Sequence, residues 1–460
     1  MSELTVNIDA LKPLYGPADE PIRYRKAAAK EGGQAQIVNG RRPSSIPIAN
    51  SLRHLLDDWR QGDYVGASET SRELLYHWFQ RDHVFTSEGG EPLQFSYYFC
   101  QREAIETLIY LLEVANIRSL SGLKAEYESD IEGKGITPEE DLWARYAFRM
   151  ATGSGKTKVM SLAIVWSYFH ALRESDSPMA RNFVVIAPNL TVFERLKEDF
   201  GEGRIFDKDP LIPEAWKGDW NLSVVMQDEA SGAATGGTLY LTNIHRLYSA
   251  RQRRTRQAET YDWAGPAVAK ASALDTSEAL RKRVTSHPNL MVINDEAHHV
   301  WDPDSAWNEV LTTLDSEMKA RNGFGLSTQL DFSATPKDNH GNLFKHIVTD
   351  SPLGEAVDAG IVKVPIIGHV GDLQERADDN AAYRYEEHLR LGYARWQKSR
   401  EEWKPSGKKA LLFVMCNNTK EADEITQRLN TDSAFADLNG KTINLHTNLK
   451  GKVKTKGSGK

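Results

Sequence analysis

"RMATGSGKTKVM", residues 149–160, is the stretch that decides the fold. It follows a short apolar run, "YAFRM" (146–150), and leads into "KTKVMSLAIVWSYFHAL", which has helical spacing. A strand feeding a Gly-rich loop that opens a helix is the arrangement in which backbone amides cradle phosphate. Gly153 and Gly155 let the backbone close around phosphate oxygens with no Cβ in the way. The loop amides and the helix N-terminus both favour an anion. Lys156 would reach the β- and γ-phosphates, and Thr157 would place its hydroxyl on Mg²⁺. The full eight-residue pattern has Gly at its first position, where this chain has Met150. A Gly-rich turn that binds nothing is the plain alternative, and the strand and helix on either side argue against it.

Outward from this loop, short apolar runs alternate with helical stretches. The strand candidates are 146–150, "FVVIA" (183–187), "LSVVM" (222–226), "TLYLT" (238–242), "LMVIND" (290–295) and "LDFS" (330–333). Apolar strands separated by helices predict an α/β fold, a mostly parallel sheet flanked by helices. A second such unit is expected from about residue 366, with "ALLFVM" (410–415) as a buried strand and "NTKEADEITQRL" as its helix. Residues 1–90 read as a mainly helical region with no catalytic pattern, and 251–290 as an insertion opening with the basic run "RQRRTR". The predicted division is therefore 1–90, 91–365 and 366–460.

Two further segments carry chemistry. "LMVINDEAHHVW" delivers Asp295 and Glu296 at the C-terminal end of a strand, where open α/β sheets bind ligands. Asp295 would hold Mg²⁺, and Glu296 would orient and deprotonate an attacking water. "LDFSATPKD" places Ser333, Ala334 and Thr335 at the end of another buried strand, where hydroxyls can hydrogen-bond the acidic segment. The 38 residues from Asp295 to Ser333 leave room for one helix between the two strands.

The three segments, in this order, resemble superfamily 2 DEAD/DEAH-box helicases and translocases. That class typically carries "TGxGKT", which accounts for Met150. Within it, "MATGSGKT", "NDEAHHVWD" and "DFSATP" most resemble the ATPase (Res) subunit of type III restriction enzymes, over roughly 95–450. The resemblance implies a RecA-like P-loop NTPase that uses ATP and Mg²⁺. It implies nucleotide contacts at Gln101, which would read adenine, and at Thr152, Gly153, Ser154, Gly155, Lys156 and Thr157. It implies nucleic-acid contacts at Pro188 and Asn189 and at Thr242 and Asn243, and coupling of hydrolysis to the partner domain through His298, Ser333, Ala334 and Thr335. The expected activity is an ATP-dependent motor on duplex DNA in restriction or phage defence, with a methyltransferase or specificity subunit as partner.

One family feature is missing. The second RecA-like domain supplies an arginine finger from a "QxxGRxxR"-like segment, and 366–460 contains none. The chain is accordingly expected to be the front part of a longer protein, with an incomplete second domain and weak hydrolysis by itself. An RNA helicase of the same superfamily, a different P-loop ATPase or kinase, and a non-hydrolysing module that binds DNA or a partner are the rival readings. Net charge −7 and pI about 6.1 leave any nucleic-acid contact to local basic surface such as "RQRRTR" or the lysines of 441–460. Trp216, Trp220 and Trp307 could stack bases, with core packing as the default. Two cysteines and no run of about 18 apolar residues point to a reduced, cytoplasmic chain that does not span a membrane.

Overall fold

A computed structural model describes residues 12–26, 35–86, 90–128, 135–227, 229, 235–248, 271–299, 306–338, 340–364 and 375–445. They divide into two compact units with the boundary after Val364. The basic run 251–256, Trp301 and the lysine-rich end 446–460 lie outside the described residues.

The first unit opens with a hairpin of β1 (Arg23–Lys26) and β2 (Gln36–Asn39), then α1 (Pro47–Gln61) and α2 (Glu69–Phe79). A second hairpin, β3 (His83–Thr86) with β4 (Pro92–Phe95), leads to α3 (Phe99–Ile109) and α4 (Leu120–Tyr127). Next come β5 (Ala144–Met150), α5 (Lys156–Arg173), β6 (Asn182–Ala187), α6 (Leu190–Phe200), α7 (Arg204–Lys208), β7 (Leu222–Met226) and β8 (Gly237–Asn243). The unit closes with α8 (Ala271–Val284), β9 (Leu290–Asn294), α9 (Ala306–Asn322), β10 (Leu326–Ser333), β11 (Ile347–Ser351) and α10 (Leu353–Asp358).

Seven strands form one sheet in the order β11-β5-β10-β9-β6-β8-β7. Every neighbouring pair is parallel. Helices cover both faces, so the strands read as continuous apolar runs. Their side chains still alternate between two cores. Phe148, Val185, Ile293 and Phe332 enter one, against α1, α2, α3 and α5. Ala147, Val184, Val292 and Leu326 enter the other, against α8 and α9. This is the α/β architecture expected of a RecA-like domain. All six strands foreseen are present, and "LDFS" is the end of a longer strand starting at Leu326. The edge strand β11, "IVTDS", carries too few apolar residues to stand out and was not foreseen.

Residues 47–79 share the sheet's core. On α1, Ile48, Leu52, Leu56 and Trp59 recur at helical spacing and bury, together with Leu74, Leu75 and Trp78 of α2, against the same cluster as Phe148. Trp216 and Trp307 are buried in the core, and Trp220 stacks on Phe169, so none of the three is spare for a base.

His77 of α2 makes this packing acid-sensitive. Burial, with His83 4.9 Å away ring to ring and Arg81 adding repulsion, pulls its imidazole from 6.5 down to about 4. The folded chain keeps His77 neutral while the unfolded chain protonates it, so stability falls as pH drops from 6.5 towards 4. A shift of that size corresponds to roughly 3 kcal/mol. Denaturant midpoints between pH 7 and 4.5 should fall less steeply for His77→Gln than for the unaltered chain. Equal slopes would assign the acid sensitivity elsewhere.

The second unit corrects one expectation. It contains α11 (Ala381–Arg384), α12 (Glu386–Trp403) and α13 (Thr419–Thr431), and no strand among its described residues. "ALLFVM" runs without strand pairing, with Leu412, Val414 and Cys416 against the helices and Leu411, Phe413 and Met415 at 86, 74 and 86% exposure. A strand buried on both faces needs neighbours on both faces, and here only one face has them. The helix expected after it is present as α13, capped by Asn418, whose side chain accepts from the Glu421 amide.

Candidate functional site

Parallel strands put their C-terminal ends on one rim, which is where such sheets bind ligands. The register brings Arg149 of β5 beside Ser333 of β10, Asn294 of β9 beside Ile186 of β6, and Ala187 of β6 beside Asn243 of β8. The loop after β5, the acidic segment after β9, the Ser-Ala-Thr segment ending β10 and the Pro-Asn segment after β6 therefore share one edge.

The loop after β5 has the conformation its glycines permit. Gly153 and Gly155 have φ of +85° and +84°, the left-handed region that a side chain disfavours. A Cβ on Gly155 would stand 2.3 Å from Gln101 Nε2. Ser154 turns its hydroxyl back to the Ala151 carbonyl at 2.7 Å, and its amide donates to the same carbonyl at 3.1 Å. Thr152 and Gly153 are exposed at the mouth, and Thr157 is half-buried. The 18-residue helix α5 starts at Lys156, so its first amides lack intrahelical acceptors and point at the loop.

Lys156 and Glu296 meet across this loop, Nζ to Oε1 at 2.9 Å. Glu296 adopts φ of +47°, a left-handed conformation costing a carboxylate residue about 1–3 kcal/mol. Its amide donates to Asp295 Oδ1 at 3.0 Å. Asp295 itself is wholly buried, and its backbone is tied to β6 by donation to the Ile186 carbonyl. Burial pushes its carboxyl above the usual carboxylate range and Glu296 adds to the rise, while Arg195 and Lys156 oppose it. Arg195 Nη2 donates to Asp295 Oδ2 from the middle of α6.

The next residues extend the chain of contacts. His298 Nδ1 lies 3.0 Å from Ser333 Oγ and 3.6 Å from Glu296 Oε2. Ser333 Oγ accepts from the Thr335 amide at 3.1 Å across Ala334, so the Ser-Ala-Thr segment is joined through His298 to the acidic pair. Gln101, the first-turn residue of α3, is engaged at both ends of its amide: Oε1 accepts from the Tyr98 amide and Nε2 donates to the Ser154 carbonyl at 2.9 Å. It supports the loop from behind. Beside it lies a small pocket lined by Tyr15, Pro17, Phe99, Cys100, Ser154 and Ile361 among others.

The proposed nucleic-acid contacts sit differently. Thr242 and Asn243 are buried, and the Asn243 side chain accepts from the His245 amide. Asn189 caps α6 by accepting from the Val192 amide at 2.9 Å, while Pro188 is half-exposed. Local backbone amides therefore occupy the side-chain oxygen of both asparagines. Arg195 was missed from sequence, since an arginine on an amphipathic helix carries no motif signal. The pocket wall from Tyr15 and Pro17 had none either.

No three His, Cys, Asp or Glu side chains among the described residues are grouped to hold a metal ion. A hydroxyl such as Thr157, half-buried on the loop, and a carboxylate such as the buried Asp295 are residue types that suit Mg²⁺ when phosphates and water complete its shell. Among the described residues no helix is long and apolar enough to cross a membrane. A family model described as type III restriction enzyme, res subunit (ResIII), matches residues 94–338. That span contains Gln101, the loop, Asp295–His298 and Ser333–Thr335. No curated protein matches the chain.

Proposed function

From membership of the type III restriction enzyme res-subunit family, to which this chain belongs, we propose that it is the ATPase part of a motor that moves on duplex DNA in a restriction or phage-defence system. The observation that carries the ATPase reading is the 2.9 Å contact of Lys156 with Glu296 over a loop whose two glycines take positive φ. Loop amides and Lys156 bind and orient the phosphates of ATP. Lys156 leaves Glu296 for the phosphates, which frees Glu296 to hold the attacking water and accept its proton. Thr157 and Asp295 would hold Mg²⁺, which when bound offsets charge on the phosphate oxygens. Gln101 keeps the loop in place through its bond to the Ser154 carbonyl. The contact of His298 with Ser333 passes the state of Glu296 to β10. Support for DNA rests on family membership, and a methyltransferase or specificity subunit is the partner that membership suggests.

Lys156→Ala is expected to weaken ATP binding about ten- to 150-fold, the 1.5–3 kcal/mol of a hydrogen bond to a charged group. Titration of a fluorescent ATP analogue measures it, and unchanged affinity would remove the loop from the nucleotide site. Hydrolysis with and without duplex DNA tests the motor reading. Stimulation by matched RNA but not DNA would replace the DNA motor with an RNA helicase.

A further inference from the structure

Asp295 and the cation that neutralises it differ sharply in exposure. The carboxylate is 0% exposed, and the Arg195 side chain that reaches it from α6 is 50% exposed. A buried carboxylate is costly without a counter-charge. A half-exposed guanidinium returns to water at little cost. Asp295 thus depends on a cation, and Arg195 does not depend on Asp295. A second acceptor for Arg195 stands one turn along the same helix. Asp199 is four residues on, the spacing at which side chains of a helix meet. Its half-buried carboxyl is pushed up by burial, and Lys158 and Arg195 counter that rise without an ion pair to either.

We propose that Arg195 is an exchangeable counter-ion that holds the Asp295 carboxylate while Mg²⁺ is away and moves off towards Asp199 when Mg²⁺ arrives with nucleotide. The inference rests on the nucleotide site proposed above. Two cations then compete for one carboxylate oxygen, Asp295 Oδ2, and Arg195 sets the Mg²⁺ concentration at which the site fills. The exchange breaks and forms only ion pairs and hydrogen bonds.

The test follows binding of a fluorescent, non-hydrolysable ATP analogue as Mg²⁺ is added, for the unaltered chain, Arg195→Gln and Lys156→Ala. Arg195→Gln should reach half-saturation at about five- to tenfold lower Mg²⁺, because the competent state no longer has to displace a side chain. An unchanged or higher Mg²⁺ requirement overturns the proposal and leaves the nucleotide site standing. Binding by the unaltered chain that ignores Mg²⁺, or that Lys156→Ala retains, overturns the site and this inference together. A second arm uses the unaltered chain and needs no folded variant. Modification of Arg195 by an arginine-selective dicarbonyl, read by mass spectrometry, should rise several-fold with Mg²⁺ and the analogue, and not with the analogue in EDTA. Unchanged or lower reactivity means that Arg195 has stayed in the site and the proposal is wrong.

Discussion

Glu296→Gln is expected to slow ATP turnover by about 10²–10⁴-fold while leaving nucleotide affinity within about twofold. The amide keeps the size of the side chain and an oxygen that can accept from Lys156 Nζ, now 2.9 Å from Oε1. It loses the ability to take a proton. Because Glu296 is held at a φ of +47°, its position comes from the surrounding backbone and survives the substitution. Single-turnover hydrolysis beside an equilibrium binding titration separates the two effects. Turnover near that of the unaltered chain would show that another group activates the water. A parallel fall in binding would show that Glu296 acts through the loop.

Asp331→Ala is expected to cost roughly 3–5 kcal/mol of stability, the largest loss foreseen from a side chain outside the nucleotide site. Asp331 lies on β10 near the middle of the sheet and is 1% exposed. It accepts from Asn294 Nδ2 at 2.6 Å and from Gln329 Nε2 at 3.0 Å, and lies 2.8 Å from His346 Nε2. Gln329 in turn accepts from the Trp143 indole at 3.0 Å. Truncation strands several buried polar groups at once, each worth about 1–3 kcal/mol when left unmade. Asp331→Asn keeps one acceptor oxygen and should lose less. Denaturant unfolding measures both, and a loss under about 1 kcal/mol for Asp331→Ala would mean that the network rearranges around the gap.

Both experiments probe one rim from different depths, and the rim was legible in sequence to different degrees. Gly153 and Gly155 could be read because a positive φ is a local demand that glycine meets. The strand carrying Asp295 could be read because burial on both faces forces a run of apolar residues. The 38 residues from Asp295 to Ser333 allowed one helix, and α9 fills that interval. Gln101 was read as a nucleotide contact, and its amide is engaged with Tyr98 and Ser154 beside the loop. Sequence reading locates such a residue without saying which way its polar atoms face. "ALLFVM" misled for a related reason, since apolar content signals burial only where neighbours exist to supply it.

Sequence by itself determined the class of sheet, the phosphate loop and the order of the acidic and Ser-Ala-Thr segments. Each depends on residues close in the chain, through period-2 or helical spacing and through backbone torsions that one residue type favours. Tertiary structure alone decided that β10 lies between β5 and β9, and so which strand ends meet. It decided that α1 and α2 share the core of the sheet, and that Arg195 reaches Asp295 across 100 residues. Strand order and helix docking follow from how whole faces bury together, a collective property that no local pattern encodes.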